Sequence, residues 1–142
     1  MNSKTLKGRY LRVATNKDLI GTIRYATVSY WNTNEKRMKF KGRPILILAV
    51  ESEVGLTDLS VVPLSKISDV RRISKTYDIE LSIKKLPDLK LSLPVSYLRT
   101  SKLTTVNLKE VSKSEISNLK TSYPEFFEQV LKLVKQYVNS FK

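Results

Sequence analysis

The stretch Gly42-Arg43-Pro44-Ile45-Leu46-Ile47-Leu48-Ala49-Val50 places a cation on a proline-fixed corner directly before a run with no polar break. A proline at the first position of a strand lacks the amide hydrogen that would otherwise need a partner. It also drives the residue before it into an extended conformation, so Arg43 is aimed rather than floppy. All six residues after Pro44 are apolar or small, which predicts a strand buried on both faces and puts the Arg43 guanidinium at the rim of a hydrophobic core.

Upstream of this corner, Thr22 to Tyr30 is rich in β-branched and aromatic residues and reads as the first strand. Between the two, residues 32 to 43 read as a loop carrying Lys36, Arg37, Lys39, Lys41 and Arg43, with Trp31 at one end, Phe40 near the other and only Glu35 in opposition. Cations interleaved with aromatics suit a phosphate chain with stacked bases, against the competing reading of a solvated charge run. Residues 1 to 20 form a basic N-terminal extension, an arm or a short helix, ahead of a single domain over residues 21 to 142. Downstream, Glu51 to Gly55 reads as a turn and Leu59 to Leu64 as a second core strand. Its Pro63 predicts an edge or a bulge that displaces Ser65 from regular pairing. Tyr77 to Ile83 alternates as a half-buried strand does. Ser112 with Glu115, and Ser122 with Glu125 beside Pro124, carry the capping-box pattern and predict two helical pieces. In the last of them Phe127, Val130, Leu131, Val134, Tyr137, Val138 and Phe141 form one apolar stripe for packing against the rest of the fold.

A chain of 142 residues is long enough to bury roughly two thirds of its extended surface in one core. Its 26 Lys and Arg against 13 Asp and Glu leave a net charge of +13, which makes polyanions the natural partners without choosing among them. The sequence has neither cysteine nor histidine. That excludes disulfides, thiolate nucleophiles and zinc sites of the usual nitrogen and sulfur ligands, and it removes the commonest general acid or base. No metal or organic cofactor is expected. Neither a signal-peptide-like apolar run nor a membrane-length one is present, so the expectation is a cytoplasmic protein with no membrane partner.

Taken in order, the opening strand Gly-Thr-Ile, the polar segment ending in Gly-Arg-Pro, the strand PILILAV, the strand SVVPLS and the segment SYLRTSKL resemble the PemK/MazF family of bacterial toxins. The resemblance runs from about Gly21 to the C-terminus. It implies an α+β, mainly β fold: a small SH3-like barrel with C-terminal helices. It further implies a homodimeric toxin of a type II toxin-antitoxin system, an endoribonuclease that cuts messenger RNA at short sequences and is neutralised by a cognate antitoxin. The family's functional arginine matches Arg43. Its functional threonine falls on Ser65, where the hydroxyl survives without the methyl group that restricts its rotamer. A second arginine, placed by the family near its dimer interface, matches Arg99, followed by Thr100. Ser96-Tyr97 stands where the family often carries Glu-Gln, so no RNA sequence preference is carried over.

RNA cleavage suits such a residue set, because the 2′-hydroxyl of single-stranded RNA can itself be the nucleophile. The protein then has to align that hydroxyl, stabilise phosphoryl charge and manage two protons. Arg43 is assigned as a bidentate phosphate stabiliser and proton donor to the leaving oxygen, and Ser65 as a hydrogen-bond donor to a non-bridging oxygen. Lys36, Arg37, Lys39, Lys41, Arg99, Thr100, Trp31 and Phe40 are the expected RNA-binding residues. The group that accepts the 2′-hydroxyl proton is left unassigned. A salt bridge from Arg43 to Glu51 or Glu53 is the purely structural alternative. At the level of function, a non-catalytic nucleic-acid-binding barrel and a CcdB-like gyrase-targeting toxin are the alternatives, although the tail Val138-Asn139-Ser140-Phe141-Lys142 does not match the latter.

Overall fold

The computed structural model describes residues 3–6 and 9–12 as backbone and residues 15–142 in full. The first two segments, β1 (Ser3–Leu6) and β2 (Arg9–Arg12), pair antiparallel as a small separate sheet. Where an arm or short helix was expected, the described residues show these two strands and a 3-10 turn at Asn16–Leu19.

The body is mainly β: a curled, antiparallel seven-stranded half-barrel with a C-terminal helix. Its strands are β3 (Thr22–Asn32), β4 (Arg37–Val50), β5 (Asp58–Ser65), β6 (Asp78–Ser82), β7 (Val95–Arg99), β8 (Thr104–Asn107) and β9 (Ser117–Asn118). They run in the order β6-β7-β5-β4-β3-β9, and β8 also pairs with β5. An isolated bridge from Ala26 to Val111 laces the curled side.

β4 is buried on both faces over Ile45 to Leu48, as its unbroken apolar run predicts, and is more open from Ala49 on. Because side chains alternate along a strand, Leu46 and Leu48 enter one core with Ile23, Val62, Leu64, Phe127, Val130 and Val134. Ile45 and Ile47 enter a second with Ala26, Leu59, Val61, Val106 and Val111. Each fully buried aliphatic side chain contributes roughly 1.5–3 kcal/mol. The corner at Arg43 and Pro44 is thus held from both sides of the sheet.

Three expectations are corrected. Residues 32 to 43 are not a loop: β3 and β4 form one long hairpin, paired without interruption from Ile23↔Leu46 to Asn32↔Arg37 around a turn at residues 33–36. The strands persist there because β-formers recur along this part of β3, with Val28 opposite Lys41, Tyr30 opposite Lys39 and Trp31 opposite Met38. Ser65 is not displaced either, since it pairs in register with Tyr97, and the irregularity in β5's pairing with β4 lies opposite Ile47 and Ala49. Pro63 falls between the stretches of β5 that pair with β8 and with β7, so the proline occurs where that edge carries no ladder.

Ser112 starts no helix. Its backbone amide donates to the Tyr25 carbonyl and that of Ile116 to the Ile23 carbonyl, so the segment lies along β3 instead. Arg24 fixes it there. This buried side chain donates through Nη1 to the carbonyls of Ser112 (3.3 Å) and Lys113 (2.6 Å) and through Nε to Thr22 Oγ1. Burial pushes the Arg24 guanidinium below its usual range, with Glu115 opposing the shift. The short helix α1 (Leu119–Ser122) is capped by Asn118, and α2 (Pro124–Asn139) follows with Tyr123 rather than Ser122 at its N-cap and Pro124 in its first turn. Gly21 enables this junction: at φ +90° its carbonyl accepts from Leu119 N, and a side chain there would collide with Lys120. The stripe on α2 packs inward through Phe127, Val130 and Val134, and Tyr137 makes edge-to-face contacts with Tyr77 and Phe141.

Candidate nucleic-acid interface and active site

Arg43 and Ser65 come from different strands. Arg43 stands on β4 two residues before Ile45, whose side chain is fully buried, and Ser65 ends β5 one residue after the buried Leu64. Arg43 Nη1 donates to Ser65 Oγ across 3.3 Å. The serine oxygen therefore acts as acceptor toward the guanidinium and keeps its own O–H free to donate. Arg43 has no carboxylate partner among the described residues. Glu53, one of its two candidate partners, is paired with Lys17 instead.

Three concave surfaces meet at this pair, and each is lined by both Arg43 and Ser65. One, of about 370 Å³, extends toward Tyr25 and Leu93. A second, of about 250 Å³, extends toward Tyr30 and Lys102. The third, of about 350 Å³, runs toward Arg72 and Asp69. Cations from elsewhere in the chain join Arg43 on each: Lys41 and Lys90 line the first, Arg99 and Lys102 the second, Arg72 and Arg99 the third, with Lys66 in two of them. The one carboxylate among these lining residues, Asp69, is already engaged. Arg71 hydrogen-bonds it through both side chain and backbone, which holds its carboxyl below the usual range. The junction therefore carries uncompensated positive charge around an arginine–hydroxyl pair, the arrangement that stabilises phosphoryl oxygens.

Arg99 belongs to this junction. Its Nε donates to Asp78 Oδ1 at 3.3 Å and its Nη2 to Asp78 Oδ2 and the Arg72 carbonyl, while the Asp78 side chain is fully buried and also accepts from Ser74 N. A buried carboxylate thus fixes the direction of the guanidinium. Thr100, its neighbour, is fully buried, and its hydroxyl donates to the Tyr77 carbonyl at 2.6 Å. That position ties β7 to the start of β6 and has no surface for a ligand.

The hairpin divides the remaining expected residues. Strand alternation puts Arg37, Lys39, Lys41 and Arg43 on one face and Met38 and Phe40 on the other, where Trp31 pairs with Met38. Trp31 and Phe40 are exposed, and Phe40 lines a separate groove beside β8. They do not share the cations' face. Tyr30, paired with Lys39, does, and it lines the second cavity; reading residues 22 to 43 as one hairpin with a period of two would have found it. Glu35 forms ion pairs with both Arg37 and Lys39. Lys36 sits in the turn at φ 51°, and Lys41 reaches the first cavity. Lys66, Arg72, Lys90 and Lys102 were not expected, since they lie in connecting segments and only the folding of the sheet gathers them around Ser65.

Compared with known proteins, the chain matches no protein-family model and no curated protein sequence. No helix among the described residues is long and apolar enough to cross a membrane.

Proposed function

We propose that this chain is an endoribonuclease of the PemK/MazF toxin kind, cutting single-stranded RNA without a metal ion. The observation that carries the proposal is the Arg43–Ser65 hydrogen bond at the meeting point of three cation-lined surfaces, with no carboxylate on Arg43 among the described residues.

In the proposed reaction the 2′-hydroxyl gives its proton to a solvent water as its oxygen attacks the adjacent phosphorus, the P–O5′ bond breaks, and the products are a 2′,3′-cyclic phosphate and a 5′-hydroxyl. The proton lost to solvent balances the one that O5′ receives from Arg43, which Arg43 regains from solvent. Arg43, with one N–H on Ser65 and others open, meets the phosphoryl oxygens and delivers a proton to the departing O5′. Ser65 donates its O–H to a non-bridging oxygen. Arg99, held by Asp78, adds positive charge on the flank. The reading includes a homodimer and an antitoxin as partners. Light scattering at working concentration checks the first of these, and a monomer alone would contradict it.

The test is cleavage of a long RNA in excess EDTA, with the ends mapped, beside the same RNA carrying a single 2′-deoxy nucleotide at the mapped cut. Cyclic phosphate ends and an uncut deoxy substrate are expected. Cutting at the deoxy position, or a 5′-phosphate product that requires magnesium, overturns the internal attack. RNA bound but never cut leaves a nucleic-acid-binding module instead.

A further inference from the structure

The surfaces on either side of the Arg43–Ser65 pair differ in chemistry. Around Arg72 and Arg99 the walls are cationic and polar, which suits the backbone of a nucleic acid. The roughly 370 Å³ cavity on the other side has an apolar floor of Leu64 and Leu91, both buried, with Pro44 and Leu93 beside them. The Tyr25 ring, about half exposed on β3, forms one wall. The lysines that line it, Lys41, Lys66 and Lys90, are exposed, in contrast to the buried leucines of the floor. A volume in the range of small-ligand pockets, an apolar floor, an aromatic wall and a cationic rim suit a flat heteroaromatic group bearing a phosphate.

Two further observations point into the same cavity. Ser96 on β7 lines it, is 7% exposed, and its hydroxyl makes no hydrogen bond to another described residue. That hydroxyl is not sealed off, since among the described residues the only enclosed side-chain polar atom without a partner is Ser117 Oγ, so it is open to whatever occupies the cavity. Lys90 lines it as well, held at the C-cap of the 3-10 turn at Pro87–Leu89 with its backbone amide on the Pro87 carbonyl.

We propose that this cavity is a nucleobase subsite. The base next to the cleaved phosphodiester enters it, stacks on Tyr25 and over Leu93, and is read along its edge by the Ser96 hydroxyl, while its phosphate stays at Arg43 and Ser65. The subsite rests on the nuclease reading for its place in a reaction, but its ligand chemistry stands apart from cleavage.

The experiment titrates the ¹⁵N-labelled full chain with ribose 5-phosphate and with each of the four ribonucleoside 5′-monophosphates. At least one nucleotide should bind about 5- to 150-fold more tightly than ribose 5-phosphate, the range that base–aromatic stacking contributes, with amide shifts at residues 25, 92 and 96. Tyr25→Phe should keep that advantage and Tyr25→Ala should lose it. Ser96→Ala should level the ranking among the four nucleotides without altering ribose 5-phosphate binding. Equal affinity for all five ligands overturns the subsite whether or not RNA is cut. So does a nucleotide advantage that survives Tyr25→Ala with the shifts elsewhere. A nucleotide advantage in a protein that cuts no RNA keeps the subsite and overturns the nuclease reading.

Discussion

Two parts of this molecule concentrate positive charge, and they are built in opposite ways. At the tip of the β3–β4 hairpin, Arg37 and Lys39 stand on an exposed strand and share the carboxylate of Glu35. At the rim of the core, Arg43 leans on a serine hydroxyl and Arg99 on a carboxylate that is wholly buried, with lysines and arginines from three connecting segments around them. The tip has charge without direction, because long exposed side chains trade one partner for another at little cost. The rim has charge with direction, since a strand buried on two faces fixes where the Arg43 guanidinium starts, a paired strand carries Arg99, and hydrogen bonds fix where both point. A site that must align a phosphodiester for in-line attack needs the second kind.

The largest expected effect lies at the rim. Arg43→Ala should lower cleavage by about 10²–10³-fold, roughly 2.7–4 kcal/mol of transition-state stabilisation, while circular dichroism and melting temperature stay near those of the parent, because the half-exposed side chain has no ion pair to lose among the described residues. Unchanged turnover would erase the distinction between rim and tip. Ser65→Ala should lose less, and Ser65→Thr should keep or raise activity, the added methyl restricting the rotamer that meets Arg43.

Arg99→Ala should show the opposite balance, with stability suffering first. Removing it leaves Asp78 buried with the Ser74 amide but no counter-charge, a change on the order of 3–5 kcal/mol, readable as a lower midpoint in urea. Asp78→Asn with Arg99 retained should recover part of that loss and still disorder the guanidinium. If Arg99→Ala melts like the parent, the buried pair is not what holds the rim.

The rim was legible in the sequence because its determinants are local: a proline corner, an unbroken apolar run, and a second core strand ending in a hydroxyl. Arg43 was singled out by that local pattern, whereas Ser65 and Arg99 were marked only through the family resemblance. The tip was misread because charge density was taken as the mark of a loop, whereas continuous pairing with β3 keeps residues 37 to 43 extended. In a loop Trp31 and Phe40 could serve the same ligand as the cations, whereas strand alternation turns them to the other face and brings Tyr30 to the cations instead. The Ser112–Glu115 pattern failed for a related reason: a free edge of β3 offered the backbone amides of Ser112 and Ile116 better partners than a helix turn, and no local motif records that edge. Lys66, Arg72, Lys90 and Lys102 were beyond reach, being scattered along the chain and joined only by tertiary structure.

A smaller effect sharpens the comparison at the tip. Each phosphate contact adds roughly 0.7 to the log-log salt slope of single-stranded RNA binding. Lys41→Ala should lower the measured slope, since Lys41 has no ion pair among the described residues and lines the cavity beside Arg43. Arg37→Ala or Lys39→Ala should change it less. Glu35→Gln, which releases both cations, should raise it. A Glu35→Gln protein with an unaltered slope would show that the tip never meets the RNA backbone.

The smallest effect belongs to the pair Lys17–Glu53, which supplies the reference case of a surface cation that is matched and fully solvated. The hydrogen bond from Lys17 holds the Glu53 carboxyl below its usual range, and the same bond raises the Lys17 ammonium above its own. For Glu53 the folded-state value is depressed, so its contribution is present above the ordinary glutamate pKa and disappears as pH falls through the lowered one. For Lys17 the value is raised, so its share is present below the ordinary lysine pKa and disappears as pH climbs through the raised one. The difference in stability between the parent and Glu53→Gln should therefore be small and flat through neutral pH, shrink in acid and in strong alkali, and vanish in high salt at any pH. Urea midpoints across that range measure it. A gap that persists in high salt would mean that the pair is shielded from solvent, and that exposure alone does not separate the weakly held cations of the surface from the directed ones at the rim.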